Sequence, residues 1–340
     1  MSIDCTDYTN CPKEIIYEEK IPDNVFTFLF VGCWGVYCKK GKHKVAKYKD
    51  KEWSYKDVIY GQGYVVPMMI EYSQINRINA VVLAGDNVYS DIPDENLKSI
   101  IEQDETKKTS LYNIDKQLSK GFEDCMAGIN TDQFLLGIGN HDIENCYILN
   151  KQLNYPNWNM PGLSYNILYR LNTYNINMIF IDTNMYEKKW CQGVYPNYAI
   201  SEQDKWLGHI LQVSPKNTWN IVIGHIPFWA NPHKGKERVE IKLLELIQKY
   251  SNLIDLYMCA DEHNQQYITL PNLPPQVISG TGGAVLDNIS ISENLKNYTH
   301  VCRSEFGFVS VNVSNSQINL DFYTVNNINP IQHVIIGRFE

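Results

Sequence analysis

AVVLAGDNVYSD, from Ala80 to Asp91, is the stretch of sequence that decides the fold. Its apolar run Val81 to Leu83 predicts a buried strand, and Gly85 allows the backbone to turn sharply after it. The turn brings Asp86 and Tyr89 to the carboxyl end of the strand, which is where α/β proteins hold their ligands. The stretch therefore predicts a strand that ends at a binding site.

Three more apolar runs end in the same way. They are FLLGIGNHD (Phe134 to Asp142), IVIGHIP (Ile221 to Pro227) and LYMCADEHN (Leu256 to Asn264). Each run passes into His, Asn, Asp or Glu, which are oxygen and nitrogen ligands for metal ions. Four such clusters on strand ends can converge on one point, so the sequence predicts a site for two metal ions.

The four clusters carry a family resemblance. GDNxY at Gly85 to Tyr89, GNHD at Gly139 to Asp142, GHxP at Gly224 to Pro227 and CxxxHN at Cys259 to Asn264 resemble the motifs of purple acid phosphatases within the calcineurin-like metallophosphoesterases. Their order and spacing agree with that family from about Phe26 to Tyr323. The resemblance implies an α/β fold, a four-layer α/β/β/α sandwich of two mixed β-sheets flanked by helices.

The chain is long enough for a large core, with 340 residues of which 44% are hydrophobic. The motifs come from both halves of the chain and must meet at one site, so no cut between them leaves a complete half. We therefore expect a single metallophosphoesterase-like domain over residues 25–340, preceded by an N-terminal extension over residues 1–24.

The pattern outside the motifs predicts further elements. Val25 to Val31 predicts the first strand, and Asp57 to Arg77 predicts a helix in two pieces because Gly and Pro residues interrupt it. From Gln276 onward, short alternating runs predict an antiparallel sheet that closes the sandwich.

The resemblance also implies a ligand set. Asp86 would bridge both metals, Tyr89 and His263 would bind the first metal, and Asn140 and His225 would bind the second. These five residues match the family's ligands as they stand.

Two further ligand positions differ from the family pattern. Cys33 stands where the family has an aspartate on the first, ferric metal, and Asp261 stands where it has a histidine on the second. Sulfur is softer than oxygen, so Cys33 disfavours ferric iron and favours two divalent ions such as zinc or iron. Asp261 adds a negative charge beside the second metal, and phosphate affinity is therefore expected to fall.

The resemblance implies phosphoryl transfer by in-line attack of an activated hydroxide. His141 would donate a hydrogen bond to the phosphate, and His233 could protonate the leaving group. An ordinary surface role for His233 is equally open, because its spacing from His225 is one residue short of a common family spacing.

Charge and hydropathy exclude some functions. Thirty basic and 38 acidic residues give a net charge of −8, which disfavours nucleic acids and anionic membranes as partners. No apolar run reaches the roughly 18 residues expected of a membrane helix. The Lys-rich segment Cys38 to Trp53 is either a solvated loop or a contact for a partner or a lipid headgroup.

The altered ligands and the composition, rich in Asn, Lys, Ile and Tyr, resemble the glideosome-associated, phosphatase-like anchor proteins of apicomplexan parasites. This resemblance implies a lumenal or extracellular-type location, with membrane anchorage at the inner membrane complex through a C-terminal helix absent from this chain. Its partners would be proteins of the myosin motor complex, and its phosphatase activity would be weak or absent.

Two alternatives stay open. The chain could be an active acid phosphatase that hydrolyses phosphomonoesters, which an aryl phosphate assay would detect. It could also be a structural module whose metals only hold loops together, in which case chelation lowers the melting temperature without any activity to lose.

Overall fold

The computed structural model describes residues 13–18, 25–35, 41–43, 58–89, 118–131, 133–143, 146–187, 199–233, 236–327 and 329–338. Apart from Gly41–His43, the Lys-rich segment lies outside the described residues.

The strands are β1 Lys13–Glu18, β2 Phe26–Val31, β3 Gly41–His43, β4 Val58–Tyr60, β5 Ala80–Ala84, β6 Phe134–Gly137, β7 Tyr165–Arg170, β8 Asn175–Phe180, β9 Thr218–Ile223, β10 Trp229–His233, β11 Lys236–Val239, β12 Leu256–Cys259, β13 Gln265–Ile268, β14 Gln276–Ser279, β15 Thr299–Arg303, β16 Gly307–Val313, β17 Gln317–Thr324 and β18 Gln332–Gly337. The α-helices are α1 Gln62–Ile75, α2 Cys146–Leu153, α3 Ala199–Gln212 and α4 Ile241–Lys249. Short helical turns occupy Ser119–Glu123, Met126–Gly128, Thr183–Tyr186 and Ser251–Leu253.

Two mixed sheets make up the body of the described chain. The larger sheet has the strand order β1-β7-β8-β9-β12-β14-β13-β15, and the smaller has the order β18-β17-β16-β2-β5-β6. Two separate hairpins, β3-β4 and β10-β11, complete the pairing.

The central strands are apolar on both faces, and this explains their unbroken hydrophobic runs. In β2, Phe26, Phe28 and Phe30 point between the two sheets, whereas Leu29 and Val31 point to the opposite face. Strand β5 alternates in the same way. The inner core between the sheets also receives inward-facing residues of β8, β9, β16 and β17.

Helices cover both outer faces. Residues of α1 and of segment 118–129 pack on the outer face of the smaller sheet. Residues of α3 and α4 pack on the outer face of the larger sheet. These layers confirm the predicted four-layer sandwich of two mixed sheets flanked by helices.

The structure corrects three predictions about elements. Strand β1 precedes β2, so Val25 to Val31 does not contain the first strand; β1 lies within residues 1–24 and pairs in parallel with β7. Strand β14 belongs to the larger sheet and pairs in parallel with β12, so not all strands after Gln276 are antiparallel.

The third correction concerns α1, which is one unbroken helix. Gly61 stands at its N-cap, where a Cβ would come within 2.1 Å of the Phe306 ring. Pro67 lies inside the helix, and the helix continues past it although proline has no N–H to donate. Gly61 therefore marks the beginning of this helix, and Pro67 does not divide it.

Parallel pairing brings the predicted strand ends together. Strands β2, β5 and β6 are parallel neighbours, with Leu83 aligned to both Val31 and Leu136. In the larger sheet, β9 and β12 are also parallel neighbours. The loops after all five strands therefore lie at the carboxyl ends of these strands, on the same end of the sandwich.

Among the described residues, no helix combines the length and the apolar character needed to cross a bilayer.

Candidate metal centre

Three predicted ligands occupy left-handed backbone positions directly after strands. Cys33, Asp86 and Asp261 have φ angles of 54°, 53° and 58°. For residues other than glycine this conformation costs on the order of 1–3 kcal/mol each and is concentrated at functional sites. Here it turns the three side chains away from their strands and toward a common point between the sheets.

The first group of side chains, which we call the His225 cluster, consists of Asp86, Asn140, His225 and Asp261. The Nε2 atom of His225 lies 3.1 Å from Oδ1 of Asn140, 3.2 Å from Oδ1 of Asp86 and 3.3 Å from Oδ1 of Asp261. Asp86, Asn140 and His225 are buried. Four loops that are far apart in the sequence thus place three oxygen atoms around one nitrogen atom.

The other ring nitrogen of His225 fixes its tautomer. Nδ1 lies 2.7 Å from the backbone oxygen of Ala84, which can only accept, so Nδ1 carries a hydrogen. In the neutral ring Nε2 is then a lone pair that faces three oxygen lone pairs. Burial lowers the pKa of His225, but the charges of Asp86 and Asp261 outweigh it and raise this pKa well above its usual value. A positive charge at Nε2 of His225, from a proton or from a metal cation, is therefore stabilised by the surrounding oxygen atoms.

The second group, the Cys33 cluster, consists of Cys33, Asp86, Tyr89 and His263. Ligand atoms of Cys33, Asp86 and His263 all lie within 4.8 Å of one another. The Tyr89 hydroxyl donates to Oδ2 of Asp86 at 2.9 Å and lies 3.3 Å from Nε2 of His263. His263 Nδ1 faces the Val285 oxygen at 2.7 Å, so its Nε2 lone pair also points into the site.

Cys33 is a free, fully buried thiol. Burial raises its pKa well above the usual value, and the charges of Asp86 and Asp261 raise it further. The thiolate therefore forms here only when a cation supplies the opposing charge, with release of the proton.

Asp142 ties the loops of the site together. Its Oδ1 accepts from the backbone N–H groups of Asn87 and Val88 at 2.8 and 3.1 Å, and its Oδ2 accepts from that of Gly139 at 2.7 Å. Burial and the charge of Asp86 raise the pKa of Asp142 to about 7. This carboxyl holds the loops after β5 and β6 in one arrangement.

The structure brings the seven predicted ligands together, with Asp86 shared by both clusters. His141 lies at the same place: its backbone N–H donates to Oδ1 of Asp86 at 3.1 Å, and its ring centre is 4.6 Å from that of Tyr89. His233 lies in β10, but its side chain is outside the described part of the structure.

Sequence reasoning missed three residues that support the site. Asp142 ends the GNHD motif, but the motif predicts no role for it. Thr183 accepts from the backbone N–H of His225 at 3.1 Å through Oγ1, and Arg238 forms an ion pair with Asp261. Nothing in the local sequence marks Thr183 or Arg238, since their partners lie 42 and 23 residues away.

The donor atoms fit divalent cations. Two neutral imidazoles, two carboxylates, an amide oxygen, a phenol and a thiol suit zinc or a similar metal, with softer donors on the Cys33 side. A metal bound there would supply Lewis acidity and lower the pKa of a water molecule.

Comparison with known proteins agrees with this geometry. The family model described as calcineurin-like phosphoesterase matches residues 26–265. The chain therefore belongs to the calcineurin-like phosphoesterase family, for which divalent metal ions are expected.

Individual proteins similar to this chain indicate which members of the family it resembles. Purple acid phosphatase 4 of Arabidopsis thaliana is 25% identical over 334 residues, which cover 89% of this chain and 81% of that protein. A solved structure of GAP50, the anchor in the inner membrane complex of Plasmodium, matches with a TM-score of 0.68 and 18% identity over 94% of this chain and 90% of that one. Purple acid phosphatase PPD1 from yellow lupin (Lupinus luteus) seeds matches with a TM-score of 0.59 and 15% identity over 95% of this chain but only 55% of the lupin chain. These matches confirm the predicted resemblance to purple acid phosphatases.

Proposed function

We propose that this chain is a purple acid phosphatase-like protein that binds two divalent cations in an altered site and serves mainly as an anchor for other proteins. Its turnover of phosphate esters is weak or absent. The main support for the cation site is the surroundings of His225. Its Nε2 atom faces oxygen atoms of three residues, while its Nδ1–H donates to the Ala84 carbonyl.

The altered character of the site is supported by two donors. Cys33 brings a buried thiol to the first cation position, where the family pattern has a carboxylate. Asp261 brings a carboxylate to the second, where the pattern has an imidazole. Thiolate ligation favours zinc over ferric iron, so the protein is expected to lack the ferric centre of purple acid phosphatases.

In catalysis, this chain's own residues would orient the phosphate and manage protons. His141 would donate a hydrogen bond to a phosphate oxygen, and the contact of its ring with Tyr89 supports this role. In the absence of a cation, burial and the charge of Asp86 raise the pKa of Tyr89 well above its usual value, and its hydroxyl donates to Asp86. An active phosphomonoesterase is therefore the second candidate function, favoured by the presence of His141 at the cluster.

The anchoring role rests on two resemblances. The altered ligands resemble those of the glideosome-associated anchor proteins, and the fold is similar to that of a Plasmodium protein named as an anchor of the inner membrane complex. Proteins of the myosin motor complex are the proposed partners, and the inner membrane complex is the proposed location.

Elemental analysis and an aryl phosphate assay test the site. The purified protein is expected to contain zinc or another divalent metal and to turn over slowly, and the double variant Cys33→Asp, Asp261→His is expected to hydrolyse faster. Cys302→Asp is the matched control, since Cys302 is a free thiol on β15. Fast turnover by the unmodified protein, with no gain in the double variant, would favour the active phosphatase.

The anchoring role needs a separate test. Purified motor-complex proteins are expected to bind the metal-loaded chain in a direct titration. Failure of every motor-complex protein to bind would remove the anchoring role and leave the cation site unaffected.

A further inference from the structure

Arg238 lies on β11, behind the His225 cluster, and is surrounded by carboxylates. Its Nη1 pairs with Oδ2 of Asp261 and lies 3.4 Å from Oε1 of Glu262. Its Nη2 lies 3.5 Å from Oε2 of Glu187, and its Nε lies 3.5 Å from Oε1 of Glu240. All three guanidinium nitrogens therefore have a carboxylate partner, and the side chain is held in place from several directions.

Asp261 connects this arginine to the cluster. One of its oxygens pairs with Arg238, while the other lies 3.3 Å from Nε2 of His225, which Asp86 approaches at 3.2 Å. The guanidinium is thus separated from the His225 ring by the width of one carboxylate group.

The ion pair changes the charge of the cluster. With a cation bound, Asp86 and Asp261 carry one negative charge each, whereas Asn140 and the His225 ring, which is then neutral, carry none. Arg238 pairs most closely with Asp261 and offsets part of its charge, although Glu262, Glu187 and Glu240 share the same guanidinium. The cluster therefore acts as if it carried less than the two negative charges of Asp86 and Asp261. The sequence predicts a lower phosphate affinity because Asp261 adds a negative charge. The ion pair with Arg238 makes this effect smaller.

We propose that Arg238 is a specificity-determining residue that sets the charge of the His225 cluster, lowering its affinity for divalent cations and raising its affinity for oxyanions such as phosphate. The inference rests on the proposed cation site. A unit charge that lies one carboxylate group away from a charged ligand changes the affinity for that ligand by about tenfold or more at the effective dielectric constant of a protein site.

Arg238 acts here through charge and not through contact with the anion. Each of its nitrogens already faces a carboxylate, and its nearest link to the cluster is Asp261. A direct phosphate ligand would need donors that point into the cluster. If Arg238 only supported the fold, its replacement would weaken the binding of zinc and of phosphate together.

The test is a pair of calorimetric titrations, with Zn²⁺ alone and then with inorganic phosphate on zinc-loaded protein. In Arg238→Gln, zinc affinity is expected to rise and phosphate affinity to fall, each by about tenfold. Arg238→Lys keeps the charge and is expected to stay near wild type. Arg303→Gln is the matched control, because it removes the same charge from an exposed position on β15.

The other outcomes overturn the inference. Two affinities that fall together indicate loss of structure, and a fall in phosphate affinity without a rise in zinc affinity indicates direct contact. A change in Arg238→Lys equal to that in Arg238→Gln excludes charge as the cause. If wild type binds no zinc, the proposed function fails as well; if it binds zinc and Arg238→Gln changes nothing, this inference alone fails.

Arg238→Gln leaves buried carboxylates without their partner, so it could fail to fold. Glu240→Gln keeps Arg238 and all seven ligands but removes a carboxylate that faces Arg238, so it changes the charge in the opposite sense. Its zinc affinity is expected to fall and its phosphate affinity to rise relative to wild type, and a change in the reverse direction or no change in either affinity contradicts the proposal.

Discussion

At the scale of single residues, the site depends on side chains that bind no ligand themselves. Asp142 is the clearest case, since one carboxyl accepts from three backbone N–H groups in two loops. A buried donor left without a partner costs about 1–3 kcal/mol. Asp142 therefore contributes both to the stability of the fold and to the geometry of the clusters.

Asp142→Ala is expected to lower the free energy of unfolding by about 3 kcal/mol or more, because three buried donors lose their acceptor. Zinc affinity is expected to fall with it, since the loops carrying Asp86 and Asn140 loosen. Urea denaturation and a zinc titration measure the two effects. The same substitution at the exposed Asp124 is the control, and an Asp142 variant as stable as that control would refute the role.

Asp255 gives a pH prediction away from the site. Its Oδ2 accepts from the backbone N–H of Asn220 at 2.7 Å. Burial raises its pKa from 3.8 to about 6, although the hydrogen bond from Asn220 and the charge of Arg338 act against this. A raised pKa in the folded state means that the carboxyl adds stability below about pH 4, and this stability is lost as the pH rises through about 6.

Asp255→Asn keeps the acceptor but cannot ionise. The variant is therefore expected to equal wild type near pH 4 and to become the more stable protein at pH 7, by up to about 3 kcal/mol. Thermal melting across this pH range tests the prediction. A constant difference between the two proteins would show that ionisation of Asp255 does not matter.

At the scale of elements, the loop after β6 shows how closely two neighbouring loops of the smaller sheet approach each other. A Cβ at Gly139 would lie 2.2 Å from the backbone nitrogen of Asp86 and 2.3 Å from its Oδ1. No real side chain tolerates such distances, so the loop has to move if Gly139 is replaced. The loops after β5 and β6 are thus packed backbone against backbone.

Gly139→Ala is expected to displace Asp86 and to abolish tight zinc binding, at a cost in stability of on the order of 1–3 kcal/mol. Gly137→Ala is the matched control two residues earlier, because its Cβ would meet no atom closer than 3.7 Å. Zinc titration of both variants is the measurement. Equal zinc affinities in the two would mean that the close approach is not needed.

The same loops show what sequence could predict and what it could not. Motifs such as GDNVY and GNHD carry their chemistry locally, since a strand, a turn and a ligand follow one another within a few residues. The pairing of Arg238 with Asp261 depends on how the β10-β11 hairpin folds over the end of β12, and no local pattern encodes that. Strand β1 is not predicted from the sequence because its chain neighbours are polar and its partner among the described residues, β7, begins 147 residues after it ends.

At the scale of the whole molecule, the two clusters lie between the sheets. Cys33, Asp86 and Asn140 follow strands of the smaller sheet, whereas His225, Asp261 and His263 follow strands of the larger one. A bound cation would therefore connect the sheets at this end of the sandwich. Near the opposite strand ends the protein supplies its own connections, such as the Trp219 indole N–H donating to the Ser314 carbonyl at 2.7 Å.

Cation binding is accordingly expected to stabilise the protein at one end. A ligand that binds only the folded state adds about 2.7 kcal/mol at 100 times its dissociation constant, so zinc should raise the melting temperature and EDTA should lower it. Hydrogen exchange should slow most in the loops 85–89, 139–142, 224–227 and 260–264, and least around residues 313–318. The double variant Asp86→Asn, His263→Gln is the control and should lose both effects, because it removes the shared ligand and one from the Cys33 cluster. Protection that spreads evenly over both ends, or a melting temperature indifferent to zinc and EDTA, would mean that no cation links the sheets where the clusters lie.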